Sequence, residues 1–211
     1  ASMLLPALNK ARAKARDVSC SSNLRQIGTY INLYCDDYND IYFKNRSNFG
    51  VTDKTKWQDM LMAYYMPSAY STLGGTVKDN IYFNGKRPFP LFACPAQPSA
   101  KGAGYDIGRH YSFNLTLDSF KRTQVKQPSY RCMVFDIDKY REGAQWVYSA
   151  ESNRGKYLYE GDGIGKARHG SNSSTNFVFV DGHVATLHNY SIPVGDNDPK
   201  TDPTSYFWRQ K

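Results

Sequence analysis

Four histidines and four cysteines are the side chains of this 211-residue chain best suited to act as bases, nucleophiles or metal ligands. The most suggestive group contains His169 and, further along, the run Asp181-Gly182-His183. Imidazoles with a carboxylate can ligate a metal or form an acid–base pair, so a metal hydrolase is one hypothesis. Asp-Gly is, however, a strong hairpin signal, and the chain has no Gly-x-Ser-x-Gly nucleophile element. We therefore expect a non-catalytic protein in which Asp181 and Gly182 form a two-residue turn and His169 hydrogen-bonds to it.

The cysteines, Cys20, Cys35, Cys94 and Cys132, include no Cys-x-x-Cys pair of the kind found in zinc sites. If residues 6–34 form one helix, Cys20 and Cys35 lie about 22 Å apart, far beyond the limit of about 7 Å for a disulfide. Two connectivities remain: Cys20–Cys94 with Cys35–Cys132, and Cys20–Cys132 with Cys35–Cys94. Four reduced and buried thiols are the other interpretation.

A long N-terminal helix must position these groups. Ala, Leu, Lys, Arg and Gln dominate residues 6–34, and Pro6 is tolerated near a helix start. Two apolar stripes lie on roughly opposite faces of this helix. The first consists of Leu4, Leu8, Ala11, Ala15 and Val18, and the second of Cys20, Leu24, Ile27, Ile31 and Tyr34. Because a straight helix cannot bury both faces against one body, we expect the second half to pack on its own domain and the first half to meet lipid or a neighbouring subunit.

The order of residues at the beginning of the chain favours a membrane anchor. Apolar residues come first, and four basic residues follow at Lys10, Arg12, Lys14 and Arg16. A signal peptide has the reverse order, whereas the last turns of a membrane helix at an aqueous interface have this one. We expect a membrane helix to precede residue 1, with the basic band at the lipid headgroups. The alternative is the frayed start of a surface helix.

The remaining chain predicts an α+β protein. A short helix is expected from Trp57 to about Met66, ended by Pro67, and short apolar runs separated by turn residues predict β-strands. These runs are residues 81–83, 90–92, 111–113, 132–135, 145–148, 177–180 and 183–187. No βαβ rhythm occurs, so an antiparallel sheet on the N-terminal helix is expected, with a stalk at residues 1–35 and a head at 36–211. Apart from the basic band, the positive charge is scattered, and the sequence shows no concentrated patch with aromatic residues, which argues against nucleic-acid binding.

Several motifs together resemble a known family. They are the run Cys20 to Gly28 after the basic band, the acidic Tyr-bearing segment at 35–40, Phe92-Ala93-Cys94-Pro95, and His169 followed by Asp181-Gly182-His183. This set is similar to bacterial prepilin-type proteins, closest to the type II secretion pseudopilin-like proteins abundant in Planctomycetes and Lentisphaerae. Eleven residues separate His169 from Asp181, slightly more than in the usual pattern of that family.

The resemblance implies a pilin-like fold and a structural subunit of a type II secretion pseudopilus or a related type IV pilus-like fibre. Such a subunit is anchored in the inner membrane, has a periplasmic or extracellular head, and contacts lipid or other subunits through Leu4, Leu8, Ala11 and Ala15. His169, Asp181, Gly182 and His183 would be a structural signature.

The resemblance also bears on cross-links and ligands. Cys20 and Cys94 both lie in family-like elements, which favours their pairing as a disulfide. Major pseudopilins bind calcium in a C-terminal loop, which corresponds here to Asp196, Asp198 and Asp202, whose carboxylates suit calcium. An alternative function is a surface-anchored extracellular binding module for polysaccharide or DNA on a pilin-like stalk.

Overall fold

A computed structural model describes residues 4–43, 57–72, 89–96, 110–136, 169–170, 173–188, 191–192 and 207. The helices are α1 (Leu4–Asp37), α2 (Trp57–Tyr65) and α3 (Pro67–Thr72). The strands are β1 (Tyr111–Phe113), β2 (Cys132–Asp136), β3 (Ser174–Phe179) and β4 (Val184–His188). The strands form one antiparallel sheet in the order β1-β2-β3-β4, so the predicted α+β class is confirmed.

Helix α1 packs on the sheet with the second of its two apolar stripes. Leu24, Ile27 and Ile31 are fully buried, and burial along the helix begins at Cys20. The helix passes close to β3 at Gly28, where an added Cβ would lie only 2.7 Å from Cγ2 of Val178. The predicted packing of the second half of the helix is therefore confirmed, and a glycine makes the close approach possible.

The sheet separates two apolar cores because successive residues of a strand point to opposite faces. Val178 belongs to the core beneath α1, whereas its neighbour Phe177 belongs to the core on the other face. Phe135, paired with Phe177 across β2 and β3, lies in that second core. A register irregularity between Cys132 and Val134 shifts the alternation of β2.

The β3–β4 hairpin is present, but its turn is longer than predicted. The N–H of Phe179 donates to the carbonyl of His183 (2.9 Å), which leaves a three-residue loop at 180–182. Within this loop, only Gly182 has a positive φ (89°), as expected for a three-residue hairpin loop whose last residue is left-handed. The prediction of a two-residue turn was therefore wrong. Val180 belongs to the loop and does not pair with His183, because its N–H donates to the carbonyl of Arg131 (3.0 Å).

Pro67 and Pro90 each begin a short helix that was not predicted. Pro67 follows the end of α2 as predicted, but it also begins α3, because proline is favoured in the first turn of a helix. Residues 90–92, predicted as a strand, form a short 3₁₀ helix in which Phe92 N–H donates to Phe89 O (2.8 Å). The predicted strands at 81–83 and 145–148 lie outside the described residues, as do the calcium candidates Asp196, Asp198 and Asp202.

Candidate functional site

The first half of α1 presents an apolar surface to solvent. Leu4 is 74% exposed, Leu8 46% and Val18 59%, and Ala11 and Ala15 are exposed as well. The basic residues of this half are also exposed, namely Lys10, Arg12, Lys14 and Arg16. Among the described helices, none is both long enough and apolar enough to cross a bilayer. The residues predicted to contact lipid or other subunits are thus accessible.

His169 lies in a different place, buried between two carboxylates. Its Nδ1 is 2.6 Å from Oδ1 of Asp17 on α1, and its Nε2 is 2.9 Å from Oδ2 of Asp136 at the end of β2. The backbone of His169 also pairs with Ser174 at the start of β3, through a tight turn in which Gly170 has a φ of 54°. The imidazole therefore joins the helix, β2 and β3 at one buried point.

The two carboxylates favour the charged form of the His169 imidazole. Burial of the His169 ring would lower its pKa, but hydrogen bonds to Asp136 and Asp17 and the negative charges of both carboxylates raise the pKa above its ordinary value. A protonated imidazole donates from both nitrogens, one N–H to each carboxylate. The cluster is a charge-assisted link between elements that lie far apart in the sequence.

A disulfide lies beside this imidazole. Cys20 of α1 is bonded to Cys94, with their Cα atoms 5.2 Å apart, and Sγ of Cys94 is 3.7 Å from Nε2 of His169. The segment before Cys94 is also held by Asn23, whose Nδ2 donates to the carbonyls of Pro90 (3.1 Å) and Ala93 (3.0 Å). The disulfide is thus one of several ties between this segment and α1.

The structure contains the Cys20–Cys94 bond of the first connectivity but not its companion. Cys35 and Cys132 are buried thiols that belong to no disulfide, so the Cys35–Cys132 bond that would complete that connectivity is absent. Burial raises the pKa of the Cys35 thiol to about 12. Cys35 packs in the core as a small apolar side chain, whereas the sulfur of Cys132 also accepts a hydrogen bond from Nδ2 of Asn114 (3.4 Å).

The Asp-Gly turn does not contact His169 as expected. Oδ1 of Asp181 is 2.6 Å from Nδ1 of His183, and the His183 ring stacks on Phe179 with centroids 4.2 Å apart. Both members of the Asp181–His183 pair are partly exposed, whereas His169 is bound to Asp17 and Asp136. The expected hydrogen bond from His169 to the turn was therefore wrong.

A metal-capable group does exist, but with a different composition from the one predicted. The potential ligand atoms of Cys20, Cys94, Asp136 and His169 all lie within 4.8 Å of one another, and all four residues are buried. Sequence analysis missed Asp17 and Asp136. Two signals were available: Asp17 precedes Cys20 by three residues and so shares its helix face, and Asp136 places a carboxylate directly after the apolar run of β2.

A second ionic cluster fixes the C-terminal end of α1. Arg122 contacts Asp36 through Nη2 (2.6 Å) and Asp40 through Nε (2.8 Å), and its Nη1 donates to the carbonyl of Asn32 (3.2 Å). The other carboxylate oxygen of Asp40 accepts from the N–H of Thr123 (2.8 Å). The hydrogen bond from Thr123 and the Arg122 guanidinium outweigh desolvation and lower the pKa of Asp40.

We compared the chain with family models, with curated proteins and with solved structures, and none of the three comparisons gave a match.

Proposed function

We propose that this chain is a non-catalytic structural subunit of a type II secretion pseudopilus or a related type IV pilus-like fibre, and that its fold is pilin-like. One observation carries the proposal: α1 is buried against its own sheet only from Cys20 onward, while the first half presents an apolar surface. Residues 4–19 rise about 24 Å along the helix axis. In this proposal, that surface is covered by neighbouring subunits in the fibre.

The exposed apolar side chains favour association. Leu4, Leu5 and Leu8 are 74%, 65% and 46% exposed, and full burial of one such side chain is worth about 1.5–3 kcal/mol. Before assembly, the proposed subunit is held at the inner membrane, with Lys10, Arg12 and nearby basic residues at the headgroups. The Cys20–Cys94 disulfide supports a head in the periplasm or outside the cell, because such bonds persist in oxidising compartments.

Cysteine crosslinking in the native cells tests the proposal. Leu8→Cys, introduced together with Cys35→Ser and Cys132→Ser, leaves one reactive thiol per subunit and is expected to give crosslinked dimers on mild oxidation. Ser129→Cys in the same background is the matched control, since Ser129 is exposed and does not belong to α1. Fractionation of the same cells is expected to place the protein in the inner membrane. A protein that remains monomeric and outside the membrane fraction would contradict the proposal.

The alternative is a surface-anchored binding module for polysaccharide or DNA, and one observation favours a polysaccharide ligand. Tyr38 and Tyr64 are 37% and 40% exposed, and both rings pack on Tyr34, with centroids 4.3 Å and 6.0 Å away. Exposed aromatic faces can stack on sugar rings. If this alternative holds, the chain binds sugars on a glycan array, and Tyr38→Ala and Tyr64→Ala each abolish that binding. Leu33→Ala, which removes an exposed side chain of α1, is the control and preserves it.

A further inference from the structure

We propose that Cys20, Cys94, Asp136 and His169 form a zinc site when the Cys20–Cys94 disulfide is reduced. The disulfide and the zinc ion would be alternative cross-links made by the same buried residues. This inference does not depend on the proposed role in a fibre, because it concerns the inside of one subunit.

The ligand distances fit tetrahedral zinc after one local movement. Ideal tetrahedral bonds to zinc place a thiolate sulfur about 3.6 Å from an imidazole nitrogen, and an imidazole nitrogen about 3.3 Å from a carboxylate oxygen. In the structure, Sγ of Cys94 is 3.7 Å from Nε2 of His169, and that nitrogen is 2.9 Å from Oδ2 of Asp136. Once the bond between Cys20 and Cys94 is broken, the two sulfurs must separate to about 3.8 Å. Rotation of the two cysteine side chains can provide that separation.

Asp136 supplies an independent indication of a missing ligand. Its Oδ2 accepts hydrogen bonds from His169 and from the N–H of Asn176 (3.2 Å), but its buried Oδ1 has no hydrogen-bond partner among the described residues. A buried carboxylate oxygen without a donor is costly, and a metal ion held by both oxygens of this carboxylate would satisfy it. The carboxylate is itself only 3% exposed, so bulk water does not solvate it.

Asp17 contacts the imidazole nitrogen that would not bind the metal. Metal-bound histidines commonly donate their second N–H to a carboxylate, which fixes the tautomer and the ring orientation. Oδ1 of Asp17 is 2.6 Å from Nδ1 of His169, so Asp17 can hold that proton while Nε2 faces the cysteines and Asp136. Asp17 is a positioning residue in this site.

The ligand set favours zinc in a structural role. Two thiolates with an imidazole and a carboxylate suit a soft, tetrahedral ion, and zinc takes such ligands without redox chemistry. All four residues are buried, so the site is closed by protein ligands and leaves no position for substrate. The ion would tie α1 to the segment at Cys94, to β2 and to the turn that precedes β3.

The chemical steps balance with a dithiol as the reductant. A dithiol gives two electrons and two protons to the Cys20–Cys94 bond, which breaks to two thiols, and the dithiol becomes a disulfide. Zinc then replaces both thiol protons and the proton on Nε2 of His169, and these three protons leave to solvent. The positive charge that balances Asp136 passes from the imidazolium to the metal.

Cobalt titration of the whole chain tests the proposal. The protein is reduced with a dithiol under anaerobic conditions, freed of reductant by gel filtration and titrated with Co²⁺, which gives a charge-transfer band when bound by thiolates. We expect a single equivalent of Co²⁺ to produce this band and Zn²⁺ to abolish it by displacement. The oxidised chain is expected to give no band. This comparison needs no substitution, so a variant that fails to fold cannot obscure it.

Variants identify the ligands. Cys35→Ser combined with Cys132→Ser is the matched control and is expected to keep the band, whereas Cys20→Ser is expected to lose it. Asp17→Asn is expected to keep the band but to weaken metal affinity by roughly 10–100-fold. Absence of the band from the reduced wild-type chain overturns the proposal, as does a band that survives Cys20→Ser. Unchanged affinity in both Asp136→Asn and His169→Gln also overturns it.

Discussion

Removal of the Cys20–Cys94 disulfide is expected to cost a large part of the stability of the fold. The two cysteines are 74 residues apart in the sequence, so the bond closes a long loop in the unfolded chain. The chain-entropy relation for a loop of about 75 residues gives about 15 cal/mol/K, or about 4.5 kcal/mol near room temperature. Single domains are commonly stable by only about 5–15 kcal/mol.

The double variant Cys20→Ala/Cys94→Ala tests this expectation. Its free energy of unfolding is measured by urea titration with circular dichroism, in the presence of a metal chelator. Because Asn23 still holds the carbonyls of Pro90 and Ala93, the folded state should change little and the effect should arise in the unfolded state. With a urea m value of about 2 kcal/mol/M, the midpoint is expected to fall by about 2 M.

Cys35→Ala combined with Cys132→Ala is the matched control for this experiment. It removes two buried sulfurs without opening a loop, so its free energy of unfolding should fall through lost packing alone, with no change in the m value. The disulfide variant should show a larger m value, because its unfolded chain is more expanded. A loss below about 1 kcal/mol in the disulfide variant would refute the loop-closure argument.

Three further predictions concern α1 and its surroundings. Gly28→Ala should lower the melting temperature, with a cost of about 1–3 kcal/mol, because the new methyl group meets Val178; an unchanged calorimetric transition would contradict this. Asp40 has a lowered pKa in the folded state, so its stabilising contribution is present above its unfolded pKa of 3.8 and is lost as the pH falls through the folded pKa. Asp40→Asn should therefore weaken the fold more at neutral than at acidic pH in urea titrations. Cys35, with a pKa raised to about 12, should react with a thiol reagent at neutral pH only after denaturant is added, as mass spectrometry would show.

The packing of α1 could be predicted from sequence because helical periodicity is a local property. The spacing of Leu24, Ile27 and Ile31 identified the buried face, and that face is the one that contacts the sheet. The exposed first half followed from the same pattern. What covers that half lies outside one chain, so its contact with lipid or other subunits stays a prediction.

The geometry of turns and the role of prolines were less predictable, because hydrogen bonds to other parts of the backbone select one of several conformations that the local sequence allows. The apolar runs that flank Asp181-Gly182 correctly predicted a hairpin, but a hydrogen bond from Val180 to Arg131 fixes the length of the loop. Pro67 ends one helix and begins the next, since a fixed φ suits both the break and the first helical turn. A local signal predicts where the chain changes direction, whereas packing decides the geometry.

The buried cluster could not be predicted because its contacts join distant parts of the chain. His169 and Asp17 are 152 residues apart, and only folding of α1 onto the sheet brings them within 2.6 Å. Sequence reasoning paired His169 with the nearby Asp181, but that turn lies on the surface, where a histidine–carboxylate pair contributes little. A buried imidazole needs hydrogen-bond partners, and the buried Asp136 and the half-buried Asp17 provide them beside the disulfide. His169 therefore connects the helix to the sheet, and Asp181 and Gly182 independently close the hairpin.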